Sequence, residues 1–384
     1  MTVLLCIGSL KCGGAERVTV ALANYLVRKG HSVKLTTIRD SHEDFYTVEA
    51  GVVRACLVET KTQRPKHEIS NYWRNVRSLR QTIRAEQPDI VIGMMTRSAI
   101  LSILACVWLP TRVIVSERNF PARQPIGLGI SLLRRILYRF ADAHVVQTSE
   151  IADWVIRRTA ARNVWIIPNS VKWPIPAYPP FKDPRAYITQ GQRMIIAVGS
   201  KSEQKGFDLL LNAFASIAAK YPSWSLAILG LDSRTDRKTN AQNLLLEQAN
   251  ALGISERIHF PGHVGNVSDW YQRADLFVLS SRYEGFPNVL LEAMSAGCAC
   301  VSFDCDTGPR EIIEHGANGF LVEAENVTQL SEIMDYVMGD DEKRVHIGAM
   351  AKMVTNEYSE EAIFQRWCEL FESIRIPRDV MSLP

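Results

Sequence analysis

The densest run of residues able to do chemistry is SRYEGFPNVLLEAMSAGCACVSFDCDTGPREIIEHGANGFLV, residues 281–322. Pro287 suits the first helical position and Gly297 the helix end, which predicts Glu284 in a loop before a helix and Glu292 inside it. Helical rise separates Pro287 from Glu292 by roughly 7.5 Å at about 1.5 Å per residue. A ligand lying along the helix start could therefore touch both carboxylates and the N–H groups near Asn288 and Val289. That arrangement suits a nucleotide-sugar: the N–H groups hold the diphosphate, Glu292 accepts ribose hydroxyls, and Glu284 accepts hydroxyls of the sugar. Gly285, Phe286 and Pro287 belong to the same donor-binding stretch. Glu292 sits in the apolar run LLEAM, where a buried carboxylate needs a partner; the plainer reading is a single solvated helix carboxylate.

An anionic ligand also needs a cation. GSKSEQKGFDLL places Lys205 before Gly206 in the loop after a predicted strand, with Lys201 as a second candidate. Ligands of doubly wound sheets bind outside the carboxyl ends of strands, though either lysine could be an ordinary solvated charge. Near the start, GSLKCGGAERV sets Gly13 and Gly14 in a tight loop before a helix carrying Glu16, where backbone can approach a phosphate or sugar closely. The spacing of Gly8, Gly13 and Gly14 is not that of a dinucleotide fingerprint, and no phosphate-loop GK[ST] occurs, so a nicotinamide dehydrogenase is disfavoured.

These residues need elements to position them. The first half alternates apolar runs (VLLCIG, SVKLTTI, PDIVIGM, RVIVSE, AHVVQTS) with amphipathic stretches at 16–29 and 72–86; the second repeats the theme with RMIIAVGS, WSLAILG, RIHFPG, DLFVLS and ACVSFD around helices at 207–220, 239–252, 267–273 and 288–296. Strand–helix alternation of this kind predicts an α/β fold of two doubly wound parallel sheets. IPNSVKWPIPAYPPFKDP packs six prolines into 18 residues and reads as a stiff connector. The domains are expected at 1–168 and 191–358, with a linker at 169–190 and an amphipathic C-terminal helix within 359–384 packing back on the first domain.

With 384 residues, 47% hydrophobic and 22% charged, the chain is long enough for two such cores, and disorder, collagen and coiled coil are excluded. Its eight cysteines lie mostly in apolar runs without CxxC spacing, which points to reduced core residues rather than metal ligands, and to the cytoplasm. MTVLLCIGSL has no basic leader and reads as a first strand. The longest apolar stretch, 99–109, is about half of the roughly 20 residues that cross a bilayer. Net charge is +3, but residues 1–168 carry 24 Lys+Arg against 13 Asp+Glu, and the remainder 20 against 28. A basic half suits an anionic surface, and GLGISLLRRILYRF, 127–140, combines an apolar face with Arg134, Arg135 and Arg139, as either a lipid-contacting or a core-facing helix.

With GGAERV, IPNSV, QKGFDLL, the EGFPNVLLE pair, TGPREII and NGFLV in order, the chain resembles the retaining GT-B glycosyltransferases, specifically family 4 (group 1). The resemblance implies two Rossmann-like domains facing across a cleft, a nucleotide-sugar donor on the C-terminal one and an acceptor on the N-terminal one. By position, Glu284 then contacts the donor sugar, Glu292 the ribose, Lys205 the diphosphate, Gly13–Gly14 the reacting centre, and Glu311 a turn near the nucleotide. The family's arginine before the KG lysine is here Ser200, for which neighbouring Lys201 is a candidate substitute, and the family's frequent histidine is replaced in SERNFP, leaving Glu117, Arg118 and Asn119 as acceptor-side candidates. Catalysis is assigned to Glu284 and Lys205. The leaving diphosphate itself helps deprotonate the incoming hydroxyl, so no metal and no cofactor are expected. DCD at 304–306 reads as a loop.

The resemblance extends to enzymes that elongate polyprenyl-diphosphate-linked sugars. It implies a hexose or N-acetylhexosamine donor, UDP ahead of GDP, a lipid-linked glycan acceptor for cell-surface polysaccharide or glycoprotein, no nucleic-acid partner, and a peripheral place on the inner face of the cytoplasmic membrane. The alternatives are a GT-B nucleotide-sugar epimerase and a non-catalytic nucleotide-sugar binder.

Overall fold

The computed structural model describes residues 1–57, 68–124, 126–189, 191–231 and 241–375. The chain forms two compact units, Met1–Ser170 with the C-terminal segment from Glu360, and Val171–Ser359.

In the first unit, short apolar runs form seven parallel strands: β1 (Thr2–Ile7), β2 (Ser32–Thr37), β3 (Val52–Cys56), β4 (Ile90–Met94), β5 (Arg112–Ser116), β6 (Ala143–Val146) and β7 (Val164–Ile166), in the order 3-2-1-4-5-6-7. Helices α1 (Gly14–Arg28), α2 (Glu68–Glu86), α3 (Thr96–Cys106), α4 (Gly127–Leu137) and α5 (Ser149–Arg158) make the crossovers. Buried Val76, Leu79 and Ile83 of α2 and Ile100, Leu101 and Ile103 of α3 pack with Leu4, Val91, Val113 and Val115 of the strands. The apolar stretch at 99–109 is thus mostly α3, buried as a core helix.

In the second unit, β8 (Arg193–Val198), β9 (Trp224–Leu229), β10 (Ile258–Gly262), β11 (Leu276–Leu279), β12 (Ala299–Asp304) and β13 (Phe320–Glu323) form a parallel sheet ordered 10-9-8-11-12-13. Between and after them come α6 (Ser202–Lys205), α7 (Phe207–Ile217), α8 (Ala241–Ala251), α9 (Val267–Arg273), α10 (Asn288–Ser295), α11 (Pro309–Ile312), α12 (Val327–Met338), α13 (Asp341–Ala351) and α14 (Val354–Glu357). Last, α15 (Glu360–Arg375) joins the first unit, with Phe364 5.2 Å from Tyr25 of α1 between ring centroids and Trp367 fully buried.

The proline-rich segment, expected as a stiff connector over 169–190, is from Val171 built into the second unit. Tyr178 N–H donates to Gly265 O at 3.0 Å, and Lys182 and Asn266 exchange two hydrogen bonds at 2.9 and 3.0 Å. Proline disfavours regular structure locally but says nothing about which distant groups will hold the backbone. Strands β3, β7 and β13 were not anticipated; each is an edge strand of three to five residues, too short to carry a clear period.

Candidate functional site

Each sheet reverses its strand order once, between β1 and β4 in the first unit and between β8 and β11 in the second. The loops leaving two such strands part company, opening a crevice at their carboxyl ends.

In the second unit the sequence places its candidates at that point. After β8, the turn α6 carries Lys205 at its end, and Gly206 follows at φ 58°, where a Cβ would lie 2.1 Å from Ser280 O. Glycine alone lets this loop press against the end of β11. Ser280 Oγ donates to Lys205 O at 2.8 Å, and Arg282 N–H donates to Gln204 O at 2.8 Å, so the two loops are laced together. Lys205 Nζ then reaches Glu284 Oε1 at 2.6 Å, and Ser281 Oγ donates to the same oxygen at 2.6 Å. Both side chains are mostly buried, at 14% and 8% exposure.

Behind Glu284 the backbone is fixed by Thr307, whose Oγ1 lies 2.7 and 3.0 Å from the carbonyls of Glu284 and Gly285. Gly308, at φ 99°, allows the β12–α11 loop to pass beside Gly285 O and Pro287. Pro287 is the residue before α10 rather than its first, at φ −79°, and no side-chain oxygen caps the helix start. Helix α10 therefore begins with its positive end beside the Lys205–Glu284 pair. Glu292, 4% exposed, accepts a hydrogen bond from Tyr271 OH at 3.3 Å. Phe286 is buried against Tyr358, and Tyr358 OH donates to Glu311 O at 2.7 Å. Lys201 is exposed at the start of α6, and Ser200 beside it is exposed too.

The sequence reading missed Ser280, Ser281, Tyr271 and Thr307, which hold the candidates in place. The paired serines directly after a strand and the Thr-Gly before Pro309 are signals that loop-to-loop bonding would require, but nothing local says to whom they bond.

Of the other candidates, Gly13 and Gly14 lie at the reversal point of the first sheet, at the start of α1, where Tyr46 OH donates to Gly13 O at 3.2 Å. Glu16 in the first turn has its carboxyl pushed up by burial. Glu117 and Arg118 follow β5 and are buried, whereas Asn119 is exposed. The Glu117 carboxylate has Thr96 Oγ1 at 2.9 Å and accepts from Tyr138 OH; burial raises its pKa, offset in part by Tyr138, Arg134 and Thr96. Arg118 donates to Ser116 Oγ at 2.8 Å and to Asn169 Oδ1 at 3.0 Å, lies over Trp367 at 5.4 Å, and is pulled by burial down to about 9.

Cys298, Cys300 and Cys305 are buried, and burial pushes Cys298 and Cys305 up to about 12 and Cys300 well above its usual value, so these thiols stay protonated. Among the described residues no group of three or more His, Cys, Asp or Glu is placed to hold a metal ion.

Two family models cover most of the chain: Glycosyltransferase Family 4 over residues 12–172 and Glycosyl transferases group 1 over residues 181–354. The chain is a glycosyltransferase. Its first unit carries the family 4 match and its second the group 1 match. A glycosyltransferase of Haemophilus influenzae is 27% identical over 92% of this chain and 95% of its own. A Campylobacter jejuni enzyme, named as an alpha-1,4-N-acetyl-D-galactosaminyltransferase acting on a GalNAc-GalNAc-diNAcBac-PP-undecaprenol, is 24% identical over 98% of this chain and 99% of its own. Among solved structures, the sucrose-phosphate synthase of Thermosynechococcus elongatus superposes with a TM-score of 0.82 at 16% identity, covering 97% of this chain and 99% of that one. Anabaena HepE in complex with UDP and glucose does so with a TM-score of 0.76 at 19% identity, covering 97% and 100%. The fold is accordingly GT-B, two Rossmann-like α/β units.

Proposed function

We propose that the enzyme transfers a hexose or N-acetylhexosamine from a UDP-sugar to a polyprenyl-diphosphate-linked glycan, with retention of configuration. The observation that carries this reading is the Lys205–Glu284 pair at the sheet reversal, beside the start of α10. A diphosphate at the helix start meets a positive dipole end and the Lys205 ammonium, which together stabilise charge as the sugar departs. Glu284, released from Lys205, accepts sugar hydroxyls, and Glu292 accepts those of the ribose. In this reading the charge falls to Lys205 and backbone N–H groups, so no metal takes part.

UDP is favoured because HepE, of the same fold, is solved with UDP and glucose. A lipid-linked acceptor is favoured by the undecaprenol named for the Campylobacter relative and by α4. Leu128, Leu132, Ile136 and Phe140 recur every four residues along this helix and the turn after it, and are 92%, 58%, 43% and 61% exposed, with Arg135 and Arg139 exposed alongside. An apolar stripe edged by arginines suits an anionic membrane surface, and we place the enzyme on the inner face of the cytoplasmic membrane. No helix among the described residues is long and apolar enough to cross a membrane.

The test is transfer from labelled UDP- and GDP-sugars to a bacterial polyprenyl-lipid extract, with and without chelator. Label entering the lipid phase from one UDP-sugar, undiminished by chelator and with the donor's anomeric configuration, is the expected result. Sugar isomerised without acceptor would replace this reading by an epimerase, and donor binding without turnover would replace it by a binder.

A further inference from the structure

Helix α4 has two faces of opposite character. The exposed stripe through Leu132 and Ile136 lies two residues from Arg134, about 200° around a helix of 3.6 residues per turn, so Arg134 and Tyr138 point the other way. Both are buried, at 4% and 0% exposure. Beside them Ile130, Leu133 and Leu137 pack on the core of α2 and α3. Such a face needs no polar residue, yet Arg134 and Tyr138, one turn apart, both converge on Glu117. The Tyr138 hydroxyl donates to its carboxylate and Arg134 Nη1 stands 4.0 Å away, with no hydrogen-bond partner and its guanidinium 4.6 Å from the Trp154 ring centroid. Thr96, opening α3, completes the ring of contacts at 2.9 Å.

Buried ion pairs contribute little net stability compared with apolar packing, and their best-attested use is to fix one arrangement. The Glu117 carboxylate is committed to groups of its own unit, while its chain neighbours Arg118 and Asn119 occupy the same loop at the carboxyl edge of the sheet. We propose that Glu117 is a positioning residue: through Tyr138 and Arg134 it fixes α4 to the loop of Arg118 and Asn119, so that the helix presenting the apolar stripe and the acceptor-side loop move as one body. The acceptor consequence rests on the transferase reading above; the mechanical one does not.

The test uses the full chain as wild type, Glu117→Gln, Arg134→Gln, the double variant, and Tyr138→Phe as a milder lesion that spares the carboxylate. Amide hydrogen exchange in 127–140 and 116–119 is expected to rise together by tenfold or more in Glu117→Gln and Arg134→Gln, by less in Tyr138→Phe, and no further in the double variant. In transfer assays the acceptor KM should rise at least fivefold, with kcat and donor KM within twofold of wild type. Unchanged exchange in these segments overturns the proposal, as does full additivity of the two single variants. A raised acceptor KM with unchanged exchange overturns it in favour of direct contact between Glu117 and acceptor. If the wild type transfers sugar to no acceptor, the transferase reading fails and the exchange data alone decide the positioning role.

Discussion

Glu117 and Glu284 invite comparison. Each stands just beyond the carboxyl end of a parallel strand, β5 and β11, and each is buried, at 1% and 7% exposure. Their partners differ in kind. Glu117 is met by Tyr138, Arg134 and Thr96, residues of helices packed on the sheet. Glu284 is met by Lys205, delivered by a loop from the strand on the other side of the sheet reversal. Burial of a carboxylate at a strand end therefore does not mark a ligand site by itself. A partner borrowed from the framework marks a fastening, and a partner borrowed across the reversal marks two groups that a ligand can separate.

Stability breaks the comparison most sharply. Glu117→Ala strands the Arg134 guanidinium in the interior, and removing one member of a buried pair costs about 3–5 kcal/mol. Glu284→Ala leaves Lys205 with a flexible stem and a path to water, so about 1 kcal/mol is expected. Denaturant unfolding of the two variants measures both, and equal losses would make Glu284 a structural residue like Glu117.

Turnover should rank them differently. Lys205→Ala removes the cation proposed for the leaving diphosphate, and loss of one such stabilising group typically costs about 10²–10³-fold in kcat. Exposed Lys201, at the start of α6, should tolerate the same change within about threefold. A large loss at Lys201 would show it filling the position where the family arginine is replaced by Ser200, and would widen the site to two cations.

That distinction was half legible in the sequence. Pro287 and Gly297 bracket α10 to within a residue because both act through local backbone geometry, and Glu284 and Glu292 follow from the bracket. Glu117 was legible as an acceptor-side candidate after a strand, but not as a residue fastened from within its own unit. Its partners Arg134 and Tyr138 lie 17 and 21 residues on, and the amphipathic pattern of 127–140 reads equally well with the arginines turned to water. The structure divides them, Arg134 inward and Arg135 and Arg139 outward. The proline-rich segment failed for the same reason, since the hydrogen bonds between Lys182 and Asn266 span 84 residues.

Acid should act on the Glu117 neighbourhood. His144 stacks 5.4 Å from Tyr138 in the Glu117 neighbourhood, and burial lowers its pKa from 6.5 to about 4. The unfolded chain thus binds a proton near pH 6.5 that the folded chain refuses until about pH 4. Stability is lost as pH falls through that window, by about 3 kcal/mol. Glu117, its pKa raised, acts in the opposite sense: the folded state holds its proton longer, so this group costs stability as pH rises above the usual carboxyl range. Unfolding followed by Trp fluorescence from pH 7 to pH 4 should show the first unit weakening, with His144→Gln flattening the slope. An unchanged slope in that variant would move the acid sensitivity elsewhere.

The smallest effect tests whether the Lys205–Glu284 geometry depends on how closely the two loops approach. Gly206 and Gly316 both have positive φ, 58° and 80°, but a Cβ at Gly206 would meet Ser280 O at 2.1 Å, whereas nothing lies within 4 Å at Gly316. Gly316→Ala incurs the conformational penalty alone, about 1 kcal/mol. Gly206→Ala incurs that penalty and must also push the β8 loop away from β11, which adds a further roughly 1–2 kcal/mol and moves Lys205 relative to Glu284. Only Gly206→Ala should therefore lower kcat while both variants lose some thermal stability. If kcat falls equally in the two, the close approach of the loops is not what sets the reactive geometry, and the comparison of Glu284 with Glu117 would rest on partner identity alone.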